Sequence, residues 1–135
     1  MITIDEMQAM LDELVEEIPE ELLSDLNGGI VLLDEAKLHV KSVDDDFFVL
    51  GEYNAGGPLG RYITLYYGSF MQVYGHENRA RIKRRLRKTL RHELRHHIES
   101  LAGVRDLEEE DAIYIARYLE RKQEKLEQEY DIDER

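Results

Sequence analysis

His92, Glu93 and His96 are the residues whose types and spacing point most directly to chemistry; they form a His-Glu-x-x-His motif, His92-Glu93-Leu94-Arg95-His96. On an α-helix, side chains four apart point the same way, so the two imidazoles can close on one metal ion. Glu93 then lies beside that ion, where a carboxylate can draw a proton from an activated water. This is the arrangement that makes a hydroxide nucleophile near neutral pH. The expectation is one Zn2+ per chain held by His92 and His96, with Glu93 as general base, acting on a peptide bond. Manganese, cobalt or iron would accept similar ligands.

Two histidines make an incomplete catalytic zinc site, which usually has three protein ligands and one open position. The chain has no cysteine, so the third ligand must offer nitrogen or oxygen. His39 falls in the strand region and His76 precedes the helix, which leaves a carboxylate. A last helix returning antiparallel from about Leu107 brings Asp111 level with His96, and Asp111 faces the apolar side. A carboxylate aimed at a core is costly unless paired or bound to a cation. Asp111 is therefore the favoured ligand. Glu108 is second, as ligand or as an outer partner orienting a histidine. Asp106 and Glu99 are the remaining ligand alternatives. Asp106 also reads as a helix N-cap, and Glu99, one turn further along the same helix, more readily hydrogen-bonds a ligand or pairs with Arg95.

These side chains need a scaffold. Thr3 and Glu6 form a capping box before an amphipathic helix with Met7, Met10, Leu11, Leu14, Val15 and Ile18 on one face, closed by Pro19. Asn27-Gly28-Gly29 signals a turn. Ile30–Leu33 and Leu38–Val40 read as short strands and 47–53 as a longer one. Residues 54–60 read as a flexible loop, and Arg61–Tyr67 as the returning strand of a hairpin. That last strand is expected to run beside the helix and pair with an extended substrate, and Tyr66 or Tyr67 is a candidate to assist the oxyanion. The active-site helix is expected from about Glu77 to Gly103, with Gly103 as its C-terminal cap. Its stripe of Ile82, Leu86, Leu90, Leu94, Ile98 and Leu101 spans about 80° to 240°, measured from His92. His96, at about 40°, flanks the stripe with His92; His97, at about 140°, falls inside it and reads as a core histidine. A final helix is expected from Asp106 to about Gln128.

The 135 residues suit a single domain, 1–135, with a real core. Net charge is −12, yet residues 79–95 carry nine basic residues and one acidic residue. A basic helix packed among acidic neighbours is the simpler reading, so nucleic-acid binding is disfavoured. The opening residues show no signal peptide and no apolar run spans a bilayer, which places the expected protein in the cytoplasm, off the membrane. Oligomeric state is open.

The segment Thr89-Leu90-Arg91-His92-Glu93-Leu94-Arg95-His96-His97, with its paired final histidines, resembles the small bacterial zincin-like metallopeptidases, or minimal zincins. The resemblance covers about residues 30–115. It implies an α+β fold in which a small, mostly antiparallel sheet packs on a long helix bearing the motif, flanked by N- and C-terminal helices. It also implies a zinc metallopeptidase, a hydrolase of peptide or protein substrates. Many members continue with glycine three places after the second histidine and an acid three further on. Here Glu99 stands at that glycine, and Gly103 and Asp106 repeat the spacing one turn late. The alternatives are a non-catalytic metal-binding domain of the same fold and, behind it, an interaction module that uses the basic helix.

Overall fold

The computed structural model describes residues 1–105, 116–122 and 124–125. Helix α1 (Ile4–Glu16) opens on the expected capping box: the Thr3 hydroxyl accepts from the Glu6 amide, and the Glu6 carboxylate accepts from the Thr3 amide, both at 3.1 Å. A 3-10 turn (Glu20–Leu23) leads to β1 (Gly29–Leu33), followed by β2 (Lys37–Leu38), β3 (Phe48–Val49), β4 (Gly51–Gly57) and β5 (Gly60–Tyr66). Then come α2 (Tyr67–Tyr74) and the 27-residue α3 (Arg79–Arg105). Residues 116–122 are helical. Among the described residues no helix is long and apolar enough to cross a membrane.

The class is α+β, as expected, but the main sheet is mixed rather than mostly antiparallel. Its order is β1-β5-β4, with β1 parallel to β5 and β4 antiparallel to it. The central strand β5 has both edges taken, so it has no ladder left to offer a substrate. Among the described residues the outer strand β4 pairs on one side only. The apolar segment 47–53 divides at Leu50. β3 pairs with β2 in a separate two-stranded ribbon, and β4 turns into the main sheet. The expected loop 54–60 is largely strand. Gly57 pairs with Gly60 across Pro58-Leu59, and Gly56 (φ 90°) and Gly60 (φ 73°) take backbone conformations that side chains disfavour.

Two helical boundaries also differ from expectation. Tyr67 begins α2 rather than ending a strand, and α3 continues past Gly103 to Arg105 without the expected cap. Asn78 starts α3, its side-chain oxygen accepting from the Arg81 amide at 2.9 Å. The expected start of the final helix, together with Asp106, Glu108 and Asp111, lies outside the described residues.

The core joins Met7, Leu11 and Leu14 of α1, Ile63 and Leu65 of β5, Phe70 of α2 and the α3 stripe Ile82, Leu86, Leu90, Leu94 and Ile98; Leu119 also belongs to it. Helix α3 packs directly on β4 and β5. Gly51 makes this close approach possible: a Cβ there would meet the Leu65 and Thr89 side chains at 2.9 Å. The basic residues of α3 face acids. Arg79 pairs with Glu6, Lys83 with Glu13, Arg85 with Glu77, Arg87 and Arg91 with Glu17, and Arg95 with Glu120.

Candidate metal and hydrolytic site

The stripe of α3 is buried against the sheet, and the turn that carries His92 and His96 emerges at its edge. Both rings are exposed. They meet edge-on, with centroids 4.7 Å apart, planes at 88° and the two Nε2 atoms 3.1 Å apart. Two nitrogens bound to one tetrahedral zinc at 2.0–2.1 Å would stand about 3.3 Å apart. The pair thus fits the bite of a shared cation, and the same spacing also serves a hydrogen bond between the rings. Burial lowers the His92 pKa, and neighbouring His96 and Arg95 lower it further against the opposing pull of Glu99. That favours the neutral imidazole, the form that binds metal.

Glu99 approaches the other nitrogen of His96, its Oε2 lying 3.9 Å from Nδ1. This side of the ring suits an outer partner that orients the imidazole, not a ligand beside Nε2. Among the described residues no three His, Asp or Glu side chains converge as a metal cage.

Glu93 is 7% exposed. Burial raises its carboxyl pKa, with Glu52 adding to the effect and His96 opposing it. It stands where two clefts meet. One, about 390 Å³, is walled by Phe47, Phe48, Leu50 and Tyr74 and reaches His92. The other, about 790 Å³, runs along Glu52, Tyr53 and Ala55 of β4 to His96 and Ser100. Among the described residues four border both: Glu93, Val49, Gly51 and His39. Sequence reasoning set His39 aside, because no local pattern places the β2–β3 ribbon across a cleft from α3.

Around this centre the polar side chains are tied down. His97 is fully buried; its Nδ1 accepts from the Tyr53 hydroxyl at 2.8 Å and its Nε2 donates to the Ser24 carbonyl at 2.7 Å. Arg61 donates to Tyr53 at 2.9 Å and also to Ser100. His97 is thus a core histidine that fixes α3 against β4. The two tyrosines considered for the oxyanion are engaged elsewhere. Tyr66 donates to Glu52 at 2.6 Å, and Tyr67 donates to the Ile2 carbonyl.

A solved structure of a conserved hypothetical protein from Thermo thermophilus is similar to this chain, at 37% sequence identity and a TM-score of 0.66. The match covers 75% of this chain and 98% of that one. This chain belongs to the family of that protein. No protein-family model and no curated protein matches the chain.

Proposed function

We propose that this member of the Thermo thermophilus protein's family is a zinc-dependent metallopeptidase of the minimal zincin kind. The observation that carries the reading is the pair of Nε2 atoms 3.1 Å apart, with a buried glutamate from the same turn of helix at the junction of two clefts. His92 and His96 would hold the ion through Nε2. When bound, zinc supplies the Lewis acidity that polarises a carbonyl and brings the pKa of water near 7. Glu93 accepts the proton of the attacking water and returns it to the leaving amine; burial, which raises its pKa, suits it to that exchange. The outer edge of β4 borders the second cleft and offers backbone groups to an extended peptide, the part earlier expected of β5. Asp111 remains the favoured third ligand on the sequence argument.

The test is metal analysis together with hydrolysis of a peptide library. Wild type should carry one zinc per chain and cut peptides. Glu93→Gln should keep the zinc and lose activity by roughly 10²-fold or more. His92→Ala should lose the zinc. Failure to take up metal after reconstitution removes the reading.

A second reading is a metal-binding domain of the same fold without catalysis, in which the His92–His96 pair, 3.1 Å between Nε2 atoms, holds an ion but cuts no peptide. It predicts that zinc raises the melting temperature while no peptide is cut.

A further inference from the structure

We infer that His39 is a further catalytic residue, donating its Nε2–H to the oxyanion that forms when the peptide carbonyl is attacked. The inference rests on the peptidase reading. Of the four described residues that border both clefts, Glu93 and His39 carry side chains able to exchange protons or hydrogen bonds; the other two are Val49 and Gly51. A peptide with one flanking side chain in each cleft has its scissile bond at that junction. Glu93 reaches the junction from α3, and His39 reaches it from the β2–β3 ribbon.

The ring is fixed for donation. The Lys41 amide donates to His39 Nδ1 at 3.0 Å, so the neutral ring carries its proton on Nε2. The ring stacks on Phe47 with centroids 4.5 Å apart and planes at 21°. The His39 amide donates to the Phe47 carbonyl at 2.7 Å, and the Ser42 hydroxyl accepts from the amides of Asp46 and Phe47 at 3.1 and 3.2 Å. A donor held this way needs no reorganisation when charge develops, which is where electrostatic catalysis gains most. With Nδ1 engaged by the Lys41 amide, the ring presents Nε2–H, which suits a donor's role.

The experiment compares wild type, His39→Ala and His39→Gln as zinc-loaded full-length proteins. His39→Ala should lower kcat by about 10²-fold with KM changed by less than about threefold. Zinc content and melting temperature should stay at wild-type values. His39→Gln, which keeps an N–H donor, should recover part of kcat. A phosphonate peptide that mimics the tetrahedral anion should bind His39→Ala more weakly by a similar factor. An uncleaved peptide bound to Glu93→Gln should keep its affinity when His39→Ala is added. Unchanged kcat overturns the donor role, and so does loss of zinc or an equal loss of affinity for both probes. If zinc-loaded wild type neither cuts peptides nor binds the phosphonate, the peptidase reading falls and takes the donor role with it. Activity in wild type that survives in His39→Ala removes the donor role alone.

Discussion

At the scale of single residues, the site is an arrangement of protonation states set by neighbours. Glu52 is a second acid of interest. Burial raises its pKa, but hydrogen bonds from Lys37 and Tyr66 outweigh that and leave the carboxyl below its ordinary value, while Tyr66 is pushed up to about 12. A carboxyl whose pKa is depressed on folding stabilises the fold above its unfolded pKa and loses that contribution as pH falls through the folded one. Glu52→Gln should therefore cost about 1 kcal/mol at pH 7, and the gap to wild type should close in acid below about pH 4. Urea melts at several pH values would measure it; a gap that persists unchanged in acid refutes the assignment. The motif histidines and Glu93 were legible in the sequence because i, i+4 geometry is local. His39 and Glu52 were not, since their relation to the motif depends on strands paired far along the chain.

At the scale of elements, the contact between α3 and β4 sets the width of the site. Gly51 is its closest point, and Gly51→Ala should force β4 away from Thr89 and Leu65. We expect a loss of about 1–3 kcal/mol, as for other overpacked sites, and weaker peptide binding along the β4 edge. A variant of wild-type stability and affinity would show that the strand gives way freely. The amphipathic α1 and most of α3 were read correctly because each repeats apolar residues at helical spacing. The divided 47–53 strand misled because β3 and β4 are one apolar run whose halves join different sheets. Helix α2 escaped notice for a related reason. Tyr67–Tyr74 has no side-chain cap and continues the apolar run of β5. The paired Gly57 and Gly60 also looked like a loop, because glycine-rich composition does not distinguish a wide loop from a tight turn at a strand's end.

At the scale of the whole molecule, the charge asymmetry becomes an internal tie. Cations of α3 meet acids of α1 and its C-cap; there Glu17 accepts two bonds from Arg87 at 3.1 Å and lies 3.8 Å from Arg91. Both guanidinium side chains are almost fully buried, 1% and 2% exposed. Glu17→Gln should then cost about 3 kcal/mol, whereas Glu13→Gln, at an exposed pair, should leave the melting temperature nearly unchanged. Equal effects of the two substitutions would contradict this account. Helix α3 itself is a single rod about 40 Å long. The turn bearing both imidazoles interrupts no stretch of it, since Leu90, Leu94 and Ile98 anchor that turn in the same packed face. Its backbone amides are therefore expected to exchange with deuterium through cooperative opening of the entire molecule. In a native-state exchange experiment, Leu94 and Ile98 should be protected as strongly as Ile82 and Leu86, and their opening free energies should converge on the global value as denaturant is added.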